Sequence, residues 1–277
     1  MANFEKKEDV KRELLKPSSI LKKVIIRIDY SGIISIDDWM RQLLNLGLNQ
    51  RFSSFIDKNN NSITLNLNNP EEIAKALSVP VSEIRKEPVK TFLNGTFAGR
   101  KDKVAMEITS NFTTFVVDCN EYTTINDYLE YINTYISELK TNQTYTKVHR
   151  IGIRKIAAIE TSEYDQYKQF FEEDQFKSVS DIKGSNIIVS ENTDRFINTN
   201  LGIKANLTRR IRSLRRVDGN LVYQFLLDID GYVDEQTVKD KDNIIANFNE
   251  YTSKINNFLF TLFVRAATLE YFNRNAK

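Results

Sequence analysis

A chain of 277 residues, 41% hydrophobic and 27% charged, holds enough apolar material for a real core in one large domain or two small ones. Its 39 basic and 37 acidic side chains leave a net charge of +2, which excludes a global pull toward nucleic acid or an anionic membrane. A single cysteine, Cys119, and a single histidine, His149, exclude an intrachain disulfide, a thiolate zinc centre and a histidine-rich metal site.

Residues 1–21 read as a charged leader, either mobile or a short surface helix, without the apolar centre of a secretion signal. The longest apolar run, Phe258 to Val264 interrupted by Thr261, falls far short of the roughly 20 residues of a bilayer span. A cytoplasmic protein without membrane contact is expected.

Lys22 to Tyr30 alternates as a strand and turns at Ser31-Gly32. Ser35 or Asp37 can then cap a helix through Leu46, whose Ile36, Trp39, Met40, Leu43 and Leu44 recur at helical spacing before Gly47 stops it. Asp57–Asn61 reads as a polar turn between strands Phe52–Ile56 and Ser62–Leu67. Asn69-Pro70-Glu71-Glu72 is the cap, first-turn proline and acidic start of a short helix to Leu77. Strands are expected at Phe92–Phe97, Lys103–Thr109 and Phe112–Asn120. The helix that follows, 124–140, keeps Ile125, Tyr128, Leu129, Ile132, Tyr135, Ile136 and Leu139 on one face.

The same order restarts with a long strand, Lys147–Ile159, and a charged helix over Glu163–Asp174. Ile187–Val189 reads as a short strand. Asn206–Val217 and Leu221–Tyr232 form a hairpin about Asp218-Gly219, a strong two-residue turn signal. The last helix runs from about Asp240 to Phe272 with one apolar stripe, Ile244 through Leu269. At about 45 Å it would cross both halves or meet a second copy in a homodimer.

Phe225-Leu226-Leu227-Asp228-Ile229-Asp230-Gly231-Tyr232 echoes Phe115-Val116-Val117-Asp118-Cys119-Asn120-Glu121-Tyr122. The fold expected is therefore α+β, two pseudo-repeated strand–helix–β-hairpin–helix halves (22–145 and 146–277) with an antiparallel sheet and a long C-terminal helix.

The candidate chemistry is sparse. Asp228 and Asp230 on one strand face, with Asp118 from the echo, are the carboxylates a Mg²⁺ site would start from; strand-end aspartates also cap loops or face water. Arg209, Arg210, Arg212, Arg215 and Arg216 crowd one strand, extended by Arg150, Arg154 and Lys155 on the long strand before it. Such a patch suits phosphate or an acidic partner protein, or else marks a charged edge strand that resists aggregation. His149 is the one residue through which Ser–His–Asp chemistry could pass, and it reads more simply as a half-buried, hydrogen-bonded histidine. Phe92–Lys101 has two glycines and a lysine without the spacing of a phosphate loop. No cofactor is expected.

Arg150-Ile151-Gly152-Ile153-Arg154-Lys155-Ile156 resembles the Arg-Ile-Gly-Leu-Arg-Tyr-Ile-Asn-Arg-Ile signature of a sporadically distributed, uncharacterised bacterial family of similar length. The order of elements is similar too: Tyr122 and a helix before the signature, then a Leu-Asp-Ile-Asp strand at Leu227–Asp230 and a long helix after it. The chain departs from the pattern at Lys155, where the family has Tyr, and at Ala157 and Ala158, where it has Asn and Arg. The resemblance lends no catalytic residues, and the scattered occurrence of the family implies phage-defence or mobile-element cargo. The leading expectation is a non-enzymatic binding or regulatory subunit working with a protein partner. A nucleic-acid-binding protein with or without Mg²⁺-dependent cleavage, and a small-molecule effector module, stand as alternatives.

Overall fold

A computed structural model describes residues 4–17, 20–33, 35–45, 52–61, 86–96, 103–119, 122, 124–141, 146–176, 188–238 and 244–277. Nine strands form its sheet: β1 (Leu21–Ser31), β2 (Phe52–Asn61), β3 (Lys86–Thr96), β4 (Lys103–Ile108), β5 (Phe112–Asp118), β6 (Lys147–Thr161), β7 (Val189–Asn198), β8 (Ile203–Arg215) and β9 (Leu221–Asp234). Their order is β2-β3-β4-β5-β1-β6-β9-β8-β7, and every neighbouring pair is antiparallel. β1 and β6 meet at the centre, with Ile26 opposite Ile153.

Period-two alternation explains which face is covered. Val24, Ile26 and Ile28 of β1, Phe115 and Val117 of β5, Ile151 and Ile153 of β6, and Phe225, Leu227 and Ile229 of β9 are all buried. Each such side chain contributes about 1.5–3 kcal/mol by leaving water. Helices α1 (Ile36–Asn45), α2 (Asn126–Thr141), α3 (Phe248–Ala266) and α4 (Leu269–Arg274) supply the opposing layer. On one side, Trp39 of α1 meets Tyr135 of α2 edge-on, 6.1 Å between ring centroids. On the other, α3 packs on β6 and β9, and Gly231 makes room for it: a Cβ there would lie 2.6 Å from Leu259 Cδ2.

A closed hydrogen-bond cluster ties β1, β5 and α2 together beneath this layer. Tyr30 donates to the Thr109 carbonyl at 2.8 Å, Thr113 Oγ1 donates to the Tyr135 hydroxyl at 2.5 Å, and Tyr135 donates to Tyr30 at 2.9 Å. Burial pushes the Tyr30 phenol up to about 12 and raises that of Tyr135 well above its ordinary value.

Several expectations are corrected. The last helix is not continuous: Ala267 is extended and bridges Phe171, and Thr268 restarts the chain by accepting from the Tyr271 amide as the cap of α4. α3 is thus 19 residues, about 28 Å, and its stripe of Phe248, Ile255, Leu259 and Leu262 is buried within the chain itself. Glu163–Asp174 forms two short 3-10 turns, Tyr164–Gln169 and Glu173–Gln175, in place of a helix. Tyr167 and Phe176 are held there against Phe225, so tertiary aromatic packing overrides the local helical pattern. Asp57–Asn61 continues β2 in place of a turn, because β3 offers a full ladder to it. β7 is far longer than Ile187–Val189, and it makes β7, not the Arg209–Arg216 strand, the edge beside β8.

The leader is a strap. Phe4 and Val10 are buried. Phe4 N donates to Asn273 Oδ1 at 2.7 Å, Lys16 N to the Asn275 carbonyl at 2.8 Å, and Lys277 N to the Leu14 carbonyl at 3.0 Å. A few apolar side chains among the charges suffice because the chain end opposite offers both a hydrophobic seat and backbone partners. The expected strand Ser62–Leu67, the helix at 69–77 and the Gly47 stop lie outside the described residues. No helix among the described residues is long and apolar enough to cross a membrane.

Candidate functional site

The opposite face of the sheet carries the polar half of each alternation. Rows of side chains run across it in register. Arg27 lies between Thr114 and Gly152, and Gly152 neighbours Tyr232. One row further, Ile25, Arg154, Asp230 and Asn206 follow one another across β1, β6, β9 and β8. All of these but Tyr232 line a concavity of about 400 Å³. Gly152 leaves its floor bare, so the Arg150 guanidinium lies over the Tyr232 ring, 4.0 Å from the centroid. Arg27 lies likewise over Phe112 at 4.2 Å. These are cation–π contacts that hold two flexible side chains in place.

Carboxylates match the guanidiniums. Arg154 grips Asp228 with two prongs, Nε to Oδ1 at 2.8 Å and Nη2 to Oδ2 at 2.5 Å. Arg150 Nη2 donates to Asp230 Oδ2 at 3.1 Å, and its Nη1 lies 3.8 Å from Asp29 Oδ2. Arg27 pairs with the other oxygen of Asp29 at 2.7 Å. Burial raises the Asp230 pKa, opposed by Arg150 and Arg154. The face is a charge-balanced lattice.

The crowded arginines of β8 divide between the two faces. Arg209, on the covered side, pairs with Asp194, and Arg210, on the open side, with Glu191. Arg216 lies past the end of the strand and pairs with Glu160 at 3.0 Å. Arg212 and Arg215 form no ion pair among the described residues. The expected continuous basic stripe is thus interleaved with acids, two of them supplied by β7.

Asp228 and Asp230 are together on β9, each already engaged by an arginine. Asp118 is three strands away on β5, about 14 Å across the sheet, and faces Lys23 at 3.4 Å. The described residues contain no group of three or more His, Cys, Asp or Glu side chains placed to hold a metal ion.

His149 completes a chain that its sequence neighbours did not reveal. Its Nε2 shares a 2.7 Å hydrogen bond with Ser31 Oγ, and Nδ1 lies 3.2 Å from Glu235 Oε1. The connectivity is that of an acyl-transfer triad. However, Ser31 is exposed, the other two are half-exposed, and Lys147 also holds Glu235 at 3.0 Å. Lys147 and then His149 hold the Glu235 carboxyl below its ordinary pKa. Solvent competes for each of these bonds, so the arrangement is a surface hydrogen-bond chain at the strand ends.

No protein-family model matches the chain, and no curated protein matches it significantly.

Proposed function

We propose that the protein is a non-enzymatic binding or regulatory subunit that docks a protein partner on the open face of its sheet. The observation carrying this reading is the pairing of Arg27, Arg150 and Arg154 with acids on or beside them, two of the three also stacked on aromatic rings. Arginine and tyrosine held rigid in a concave, charge-balanced surface are what protein interfaces use as anchors. Nucleic acid would call instead for an excess of unpaired cations along a groove. The bacterial defence or mobile-element setting implied by the resemblance belongs to the same proposal.

Duplication of the two halves is part of this reading, supported by strand order alone. β5 flanks β1 as β9 flanks β6, β4 and β8 lie next outward, and β1 and β6 are the central pair. About an axis through Ile26 and Ile153, Val117 and Asp118 correspond to Val233 and Asp234, not to Leu227 and Asp228 as the sequence echo suggests. Two such halves present one continuous face to a partner.

The test uses tagged protein in its native host, followed by reconstitution from two purified components. A partner should bind the wild-type chain and lose affinity at least tenfold when Tyr232→Ala is combined with paired removal of Arg154 and Asp228. A chain that recovers no partner and stays monomeric overturns the proposal. Tight binding of nucleic acid that weakens steeply with salt, and weakens further in Arg210→Ala/Arg212→Ala, would replace it with the nucleic-acid reading.

A further inference from the structure

Beneath α3, on the covered face, lies a second and different chamber of about 70 Å³. Leu227 and Ile229 of β9 form its floor, Leu259 and Phe263 of α3 a wall, and the strap closes it with Arg12 and Leu15. The lining is mostly apolar; its polar members are Arg12, Lys155, Lys16, Asn275 and the phenols of Tyr122 and Tyr271. Lys155 enters from β6, where alternation places it between buried Ile153 and Ala157. Its Nζ donates to Asn256 Oδ1 at 2.6 Å and lies 5.5 Å from the Tyr122 ring centroid. Arg12 enters from the strap, donates from Nη2 to the Asn256 backbone carbonyl at 3.1 Å, and lies over Phe260 at 4.7 Å.

Among the described residues neither Lys155 nor Arg12 has a carboxylate partner, and exposed Glu13 acts on Arg12 only through space. Like charges therefore converge on one asparagine that offers only neutral oxygens. Burial lowers the Lys155 pKa well below its ordinary value, with Arg12 acting in the same direction, and burial lowers that of Arg12 too. A buried charge without a counter-charge is costly and is retained where something else supplies the missing sign.

We infer that this chamber binds a small aliphatic carboxylate, with the carboxylate between Lys155 and Arg12 and its short carbon body against Leu227, Leu259 and Phe263. The cations select the anionic head. The apolar walls select a hydrocarbon body over inorganic phosphate or sulfate. The size excludes aromatic acids, since a benzene ring alone fills a cavity of about 150 Å³, and longer acyl chains with them. Because Arg12 belongs to the strap, ligand binding fastens the strap to the sheet.

The probes are acetate and propanoate, each compared with its neutral amide, by titration calorimetry and thermal melting of the full chain. Both carboxylates should bind saturably and raise Tm, while acetamide and propanamide should not. Lys155→Met should lose at least tenfold in carboxylate affinity. Arg12→Gln, a change on the strap and away from the strands, should lose a similar factor and keeps the test independent of any folding defect in the core variant. The inference fails if neither carboxylate binds saturably, if amides bind as well as acids, or if both variants bind like wild type. Trapping of a carbonyl compound on Lys155 by borohydride, without carboxylate binding, would likewise overturn it in favour of an imine-forming lysine.

Discussion

Lys155 and Arg12 donate to the two oxygens of a single residue, Asn256: the lysine to the side chain at 2.6 Å, the arginine to the backbone at 3.1 Å. One contact spans 101 positions of sequence and the other 244. Through Asn256 the central strand β6, the helix α3 and the strap are joined at one point, and that point carries uncompensated positive charge.

Lys155→Met should stabilise the ligand-free protein at pH 7 by about 1–4 kcal/mol, since a similar apolar volume replaces a buried cation. The gain should shrink with alkali. Between its lowered folded pKa and 10.5, the unfolded chain holds the proton that folded Lys155 has lost, so wild-type stability rises with pH over that window. Arg12, Cys119, Tyr122 and Asn256 surround position 155 in both proteins, so differences in urea midpoint at pH 7 and pH 10 isolate the lysine. A wild-type protein at least as stable as the variant at pH 7 would contradict this.

The Tyr30–Thr113–Tyr135 cluster sets the opposite trend. An unfolded tyrosine ionises near 10, whereas folded Tyr30 holds its proton to about 12. The stability this confers is complete below pH 10 and is lost as pH climbs toward 12. Tyr135→Phe, which removes one bond to Thr113 and one to Tyr30, should cost about 1–3 kcal/mol at pH 7 and flatten the alkaline fall. Denaturant melts across pH 8–11 measure both.

Gly231→Ala should cost about 1–3 kcal/mol through overpacking. The new methyl group meets Leu259 Cδ2 at 2.6 Å and Ile255 Cγ2 at 3.2 Å, both on a helix clamped by the strap. Gly219→Ala offers the contrast: no atom lies within 4 Å, and its cost comes from φ of 86° alone. Equal m-values with a lower urea midpoint for Gly231→Ala would identify packing as the cause.

Ser31 should resist a fluorophosphonate probe that labels serine hydrolases. Its hydroxyl has the right partner in His149, but both stand in solvent and Lys147 shares the carboxylate behind them. Stoichiometric labelling that disappears in His149→Ala would mean an acyl-transfer enzyme and would end the non-enzymatic reading.

Local pattern alone determined much of the scaffold. Alternation marks β1, β5, β6, β8 and β9, helical spacing marks α1 and α2, and Asp218-Gly219 turns the last hairpin with Gly219 at positive φ. β7 escaped because Val189–Asn198 is mostly polar and has no alternating apolar set; a ladder to β8 holds it, with Glu191 and Asp194 against Arg210 and Arg209. The carboxylates that match the arginines therefore lay in a stretch with no signal of its own. Asp228 and Asp230 were legible as a pair on one strand face, but their partners on β6 follow from register, which no single strand encodes.

Alternation follows from strand geometry alone, so spacing was enough to say which apolar residues of β1, β5, β6, β8 and β9 face inward, while the burial of Phe4 and Val10 in the strap was not legible. Only the tertiary structure decided which charges are neutralised and which are not, because that depends on distances between segments far apart in the chain. Lys155 looks like one more cation in a basic strand until alternation turns it under α3, where the surrounding hydrocarbon makes its charge matter.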